Sequence, residues 1–263
     1  MEALERQSAY QAFLERLSFT AERVLMLDYD GTLAPFRADR EGAFPYPEIP
    51  EHLARIMACG TRLVLISGRP ARELMLLSGV HPHPEIWGSH GLERLSRDGT
   101  YQAATLPHEQ VTGLQTAAER LKDALPENCI EKKPGGIAVH WRGFTPKDVE
   151  MIRAKVLEQW MPLLSEYPLN LQEFDGGLEL RIPGINKGRA VKTILEESDA
   201  GAAFAYLGDD LTDEDAFLVL KGKGLTALVR PEYRSTNADI WLRPPEQLVQ
   251  FLDEWVRACG GQA

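Results

Sequence analysis

Two aspartates carry the first chemical signal in this chain. Asp28 and Asp30 follow the apolar run Val24-Leu25-Met26-Leu27 and precede Gly31 and Thr32. Side chains two apart on a strand point to one face. The carboxylates are therefore expected to crowd one small volume at the carboxyl end of a buried strand, where open α/β sheets bind ligands. Adjacent carboxylates repel, so such a pair needs a cation or a shared proton. Gly31 lets the backbone turn tightly beside a ligand. A second acidic group lies far along the chain, in Gly208-Asp209-Asp210-Leu211-Thr212-Asp213-Glu214-Asp215. Acids at a helix start favour the positive end of its dipole, which accounts for Asp213, Glu214 and Asp215. A calcium loop would need a glycine at its sixth position and a glutamate at its twelfth; Glu214 and Leu220 stand there instead. The reading preferred is a magnesium site in which Asp209, at a strand end, joins Asp28 and Asp30, because Mg²⁺ takes few carboxylates.

The elements that must position these groups follow from the hydrophobic pattern. Residues 23–27, 62–66, 203–207 and 225–229 are short apolar runs of the kind that form buried parallel strands. The second of these runs ends in Ser67-Gly68-Arg69-Pro70, and a helix is expected over 71–77. Ser67 therefore occupies the place in its strand that Asp28 has in the first, although a serine there also serves as a helix cap. Helices are read over 2–17, 50–58, 188–197, 213–220 and 244–259, and a last short strand over 240–242. Arg97-Asp98-Gly99-Thr100 should turn a hairpin within 93–105, with Asp-Gly supplying positive φ angles. Residues 34–50, with four prolines, read as an irregular loop.

Residues 108–182 change character. Helical spacing over 108–125 and 145–164 alternates with two hairpins, one around Lys132-Lys133-Pro134-Gly135-Gly136 and one around Asp175-Gly176-Gly177. Thr145-Pro146 has the residue types of an N-cap and first turn. Helix, hairpin, helix, hairpin makes an α+β unit with both helices on one face of an antiparallel sheet. The expected organisation is α/β, with a Rossmann-like parallel-sheet core over 1–106 and 185–263 and an inserted α+β cap over 107–184.

Composition limits the partners. The net charge is 29 − 39 = −10, which argues against nucleic acid, since phosphate backbones are held by clustered Lys and Arg. Cys59, Cys129 and Cys259 form neither a metal-ligand spacing nor a disulfide framework, so a reducing compartment is expected. The first residues lack the basic and apolar regions of a signal peptide, and no apolar run approaches the ~18 residues of a membrane span. A cytoplasmic, membrane-free monomer acting on a small molecule is the resulting expectation.

Asp28-Tyr29-Asp30-Gly31-Thr32 resembles the nucleophile motif of the haloacid dehalogenase superfamily of phosphatases. Ser67, Lys187 in Asn186-Lys187-Gly188, and Asp209 follow in the order that superfamily shows. The resemblance implies phosphoryl transfer. Asp28 would be the nucleophile and Asp30 the acid/base; Ser67 and Lys187 would hold the phosphoryl group. Mg²⁺ would be held by Asp28, Asp209 and the main-chain carbonyl of Asp30. A cap between the serine and lysine motifs is similar to the type-2 capped sugar phosphatases. Gly88-Ser89-His90-Gly91, Ala138-Val139-His140-Trp141-Arg142, Leu178-Glu179-Leu180-Arg181-Ile182-Pro183 and the acidic stretch 208–217 resemble the trehalose-6-phosphate phosphatase family. That likeness implies substrate contacts at Gly68, Arg69 and His90, and sugar contacts at Glu131, Lys133 and Glu179. A cap joined by two linkers, near 106 and 184, is expected to open and close over the substrate. The family usually has Tyr where Trp141 stands, and a charged or bulkier run where Pro134-Gly135-Gly136 stand. Other glycosyl phosphates (of glucosylglycerol, mannosylglycerate or sucrose) therefore stay open as substrates, as does an inactive phosphosugar-binding domain.

Overall fold

The computed structural model describes residues 2–37, 42–122, 124–133, 135–174 and 176–260. Part of the 34–50 loop and the hairpin-turn residues Pro134 and Asp175 lie outside the described residues. The chain divides into two compact units, Met1–Gln102 with Lys187–Ala263, and Ala103–Asn186.

The first unit is built on one sheet. Strands β1 (Arg23–Leu27), β2 (Arg62–Ile66) and β3 (Glu85–Gly88) step outward in one direction; β4 (Glu93–Leu95) and β5 (Tyr101–Ala103) extend that edge. From β1 the sheet continues the other way through β10 (Ala203–Gly208), β11 (Leu225–Val229) and β12 (Ile240–Leu242). All pairings from β12 to β3 are parallel, and β4 runs antiparallel to β3. Strand order thus reverses between β1 and β10, the place where such sheets form a crevice at their carboxyl ends.

Period-two alternation divides the strand side chains between two helix layers. Leu25, Leu27, Leu63, Leu65, Ala205 and Leu207 face α1 (Glu2–Phe19), α2 (Ile49–Ala58), α3 (Ala71–Leu77) and α9 (Glu246–Ala258). Val24, Met26, Val64, Ile66, Phe204 and Tyr206 face α7 (Lys187–Glu197) and α8 (Glu214–Leu220). Each buried aliphatic of this kind contributes about 1.5–3 kcal/mol, so the register that sets these faces is strongly specified. The β4–β5 turn differs from its expectation: Gly99 has φ +86° but Asp98 is not left-handed. Gly99 N–H donates to Ser96 O at 2.9 Å, which is a type I turn closed by one left-handed glycine.

In the second unit, β6 (Ile130–Lys133), β7 (Gly136–His140), β9 (Gly177–Arg181) and β8 (Asn170–Phe174) form an antiparallel sheet in that order. Helices α4 (His108–Leu121), α5 (Pro146–Trp160) and α6 (Leu163–Glu166) accompany it. Trp160 is fully buried and donates its indole N–H to Ala117 O at 3.2 Å, tying α5 to α4. Thr145 caps α5, its hydroxyl oxygen accepting Asp148 N–H at 3.3 Å. The helix expected to reach residue 164 stops at Trp160, because Pro162 has no N–H to continue the ladder, and the chain restarts as the short α6.

Candidate active site

The site forms where three segments of the first unit meet at the carboxyl ends of β1 and β10. Lys187, the first residue of α7, is buried, and its Nζ lies 2.6 Å from Asp28 Oδ1 and 2.8 Å from Asp213 Oδ1. Asp28 and Lys187 are 159 residues apart in sequence. Asp28, Asp209 and Asp213 are all buried, with one ligand atom from each within 4.8 Å of the others. Coulomb repulsion between unit charges 4 Å apart is about 4 kcal/mol at an effective dielectric of ~20, so one ammonium cannot neutralise three carboxylates.

The protonation equilibria record that imbalance. Burial, and then Asp213, push the Asp28 carboxyl up to about 7 against the pull of Lys187. Burial pushes Asp209 well above the carboxylate range, with Asp28 and Asp213 adding to it. Burial works against the Lys187 ammonium, but Asp213 and Asp28 outweigh it and keep the lysine charged.

Asp213 is the organiser of this cluster. It accepts Lys187 Nζ, the Tyr206 hydroxyl, and the backbone N–H groups of Asp209 at 3.1 Å and Asp210 at 3.0 Å. Those four donors account for its acceptor capacity. Asp209 is the opposite case: both of its side-chain oxygens are buried and, among the described residues, accept no hydrogen bond. Buried acceptors are ordinarily satisfied. A cation meets that requirement, and the surrounding backbone is shaped for close approach. Gly31 has φ +84°, and a Cβ there would sit 2.3 Å from Asp209 Oδ2. The donor set thus fits a divalent metal ion held by Asp28 and Asp209, with Asp213 already committed to Lys187.

Asp30 departs from its expected position. β1 ends at Leu27, and after Asp28 the backbone leaves the strand. Thr32, Leu33 and Ala34 all donate to Tyr29 O, at 3.3, 2.9 and 3.0 Å. The same-face rule of a strand therefore stops applying, and the two carboxylates diverge. Asp30 pairs with Arg69, whose Nε and Nη2 reach Asp30 Oδ2 at 2.6 Å and Oδ1 at 2.7 Å. The acidic cluster is Asp28, Asp209 and Asp213, and the Asp30 carboxylate is not in it.

The remaining core positions line the β2 and β3 ends. Ser67 is buried; its Oγ accepts Arg69 N–H at 3.1 Å. His90 N–H donates to Ser67 O at 2.9 Å. The His90 ring lies against Gly68, where a Cβ would come within 2.7 Å of Nε2. Ser89 and His90 both have positive φ, 48° and 56°. Each such residue outside glycine costs on the order of 1–2 kcal/mol, and the two adjoin the loop that carries Ser67.

In the second unit, Glu131, Lys133, Glu179 and His140 share one sheet face. Glu131 pairs in register with Ala138, and Ala138 with Glu179. Lys133 Nζ lies 3.0 Å from Glu179 Oε1 and 3.7 Å from Glu131 Oε2. His140 Nε2 lies 2.8 Å from Glu131 Oε2. Glu179 and Arg181 are buried.

Sequence reasoning left Asp213 among helix-start acids and missed Tyr206 and Arg234. Arg234 donates to Asp210 O at 2.7 Å and pairs with Glu214, fastening the acidic loop. The spacing of Asp213 four residues after Asp209 was the available signal for the first. Tyr206 and Arg234 left no signal in the sequence.

Among the described residues, no helix is long and apolar enough to cross a membrane. Residues 26–240 match the family model described as Trehalose-phosphatase. A trehalose-phosphate phosphatase of Mycobacterium tuberculosis is 30% identical over 249 residues, which cover 89% of this chain and 61% of that protein. The chain thus spans about three fifths of the length of such relatives. By fold, it is similar to a trehalose-6-phosphate phosphatase C-terminal domain of Candida albicans, with a TM-score of 0.76, 21% identity, and coverage of 96% and 97% of the two chains. It is also similar in fold to the C-terminal domain of a Candida albicans trehalose synthase regulatory protein, with a TM-score of 0.70, 16% identity, and coverage of 92% and 97%. With the family model spanning both units and the acidic cluster lying inside the match, the chain belongs to the trehalose-phosphatase family.

Proposed function

We propose that this chain is a phosphatase that hydrolyses trehalose 6-phosphate to trehalose and phosphate through an aspartyl-phosphate on Asp28. The fold alone does not carry that reading, since a regulatory protein's domain shares it. The observation that carries it is the buried Lys187 bridging Asp28 and Asp213 beside the unsatisfied oxygens of Asp209. Buried side-chain oxygens without partners are rare in a purely structural cluster.

In this reading Asp28 attacks phosphorus while the bond to the sugar oxygen breaks. Asp30 gives its proton to that leaving oxygen. As a carboxylate, Asp30 then takes a proton from water, which attacks phosphorus and frees phosphate from Asp28. Lys187 orients Asp28 and, with the Ser67 hydroxyl, holds the phosphoryl oxygens. A divalent cation, Mg²⁺ in this proposal, would be held by Asp28, Asp209 and the main-chain carbonyl of Asp30, and would supply charge neutralisation at the phosphoryl group. Glu131, Lys133 and Glu179 would hydrogen-bond sugar hydroxyls. Gly136 and Ala138 support this, because they put little bulk on the sheet face between those side chains. His90 would support the phosphoryl loop through its bond to Ser67 O. We also read the protein as a cytoplasmic monomer with no nucleic-acid partner, which the net charge of −10 supports.

Phosphate release from a panel of sugar monophosphates, with and without EDTA, tests the reading. Turnover of trehalose 6-phosphate, abolished by EDTA and restored by Mg²⁺, is the expected result. Equal turnover of every monoester would sink the sugar assignment, and turnover insensitive to EDTA would sink the metal site.

A further inference from the structure

Arg69 is placed by family resemblance against the substrate, yet its side chain is 2% exposed and turned elsewhere. Two edges of its guanidinium are committed to carboxylates. Nε and Nη2 hold both oxygens of Asp30, at 2.6 and 2.7 Å, and Nη1 holds Glu73. Beneath this fork lies Tyr29, with its ring centroid 5.7 Å from Arg69 Cζ. Tyr29 is fully buried and anchored by its hydroxyl, which donates to Ala43 O at 2.8 Å and reaches Leu77 O at 3.2 Å. Glu73 comes from α3, one turn past Arg69. Tyr29, Arg69 and Glu73 therefore make a frame around one carboxylate, that of Asp30.

We propose that Arg69 and Glu73 are positioning residues for Asp30, an inference that rests on the phosphatase reading above. A planar guanidinium matches a carboxylate through two parallel hydrogen bonds. The fork fixes the direction and plane of the Asp30 carboxylate, and Glu73 on the remaining edge holds the guanidinium in register with it. A carboxyl held in that way meets the leaving sugar oxygen, and later the water, from one direction. Lysine cannot reproduce this, since its ammonium is a point charge without a fork.

The experiment compares kcat/KM for two esters in the full chain with Mg²⁺. Trehalose 6-phosphate has an alkoxide leaving group that needs a proton. p-Nitrophenyl phosphate has a leaving group that does not. kcat/KM reports the steps up to the aspartyl-phosphate, which isolates the leaving-group step. In Arg69→Lys, the sugar ester should lose about tenfold more than the aryl ester, within the range of acid–base contributions. In Glu73→Gln, a partly exposed position that keeps its size, the same ratio should shift about threefold. Equal losses for the two esters would show a merely structural role and overturn the inference. A raised KM for the sugar ester at unchanged kcat would assign Arg69 to substrate binding and overturn it too. If the unaltered chain hydrolyses neither ester, the phosphatase reading fails and this inference falls with it. A turning-over wild type with an unchanged ratio in both variants rejects the inference alone.

Discussion

Each of the two units places a lysine between two carboxylates, and the two lysines are built differently. Lys187 lies between Asp28 and Asp213 at 2.6 and 2.8 Å, fully enclosed, with a third buried carboxylate beside it. Lys133 lies between Glu179 and Glu131 at 3.0 and 3.7 Å, and Glu131 keeps 18% of its side chain exposed and a second partner in His140. The first cluster is assembled from the ends of β1 and β10 and the start of α7. The second comes from neighbouring strands of one antiparallel sheet. Charge closes differently in the two. Glu131 and Glu179 share the Lys133 ammonium, and Glu131 also has the His140 imidazole as a hydrogen-bond partner. Around Lys187 three carboxyl groups share one ammonium in a dry place, and burial raises two of them, Asp28 and Asp209, toward the protonated form. On the proposed function, the three-carboxyl cluster would hold the metal and the phosphoryl group, and the second would exchange its internal hydrogen bonds for sugar hydroxyls.

That contrast can be tested from the strongest effect downward. Asp28→Asn should abolish turnover, by about 10⁴-fold or more, while relieving repulsion in the cluster. Its melting temperature without metal should stay level or rise, and a cooperative melt with retained phosphate release would mean the nucleophile is misassigned. Lys187→Ala should cost roughly 3–5 kcal/mol in urea unfolding, because it strands buried carboxylates. Lys133→Ala should cost about 1–2 kcal/mol and show itself chiefly in kcat/KM for the sugar ester. Equal unfolding costs would erase the distinction between the two lysines.

The response to pH has a definite sign. The Asp28 carboxyl is raised from 3.8 to about 7 in the folded chain. Between those values the folded state binds more protons than the unfolded state, so the group's contribution to stability falls as pH rises through that window. A divalent cation competes with those protons. Stabilisation by Mg²⁺, read as the shift in melting temperature, should therefore be larger at about pH 8 than at about pH 5. A shift that is the same at both pH values would mean the ion binds elsewhere. The smallest effect is a control in the second unit. Thr145→Ala removes the α5 cap and should cost about 1 kcal/mol, with the Mg²⁺-induced shift unchanged.

Most of the architecture could be read from residues in a row. β1, β2 and β11 fall where the apolar runs place them, and α3 spans Ala71–Leu77 as the polar turn before it indicates. Local pattern suffices there because a buried parallel strand is a short apolar run between turn residues. The α5 break at Pro162 was present in the sequence as well, but the helical period on both sides concealed it. Asp28 and Asp209 stood out as candidates at strand ends and Lys187 through the family resemblance, and the fold brings Asp28 and Lys187 into contact.

What the residues in order could not supply was the direction each carboxylate takes. Asp28 and Asp30 share a motif, yet one faces Lys187 and the other Arg69, because the strand ends between them and the turn onto Tyr29 O rotates the second away. Asp213 looks like any acid at a helix start. Only long-range packing, which brings Lys187 and the Tyr206 hydroxyl onto it, makes it the organiser of the cluster. Residue type and periodicity report local backbone preference and burial, and those fixed the elements and the list of candidate groups. Pairing between groups far apart along the chain depends on where the sheet's order reverses and how the loops leave it, and that is a property of the folded molecule.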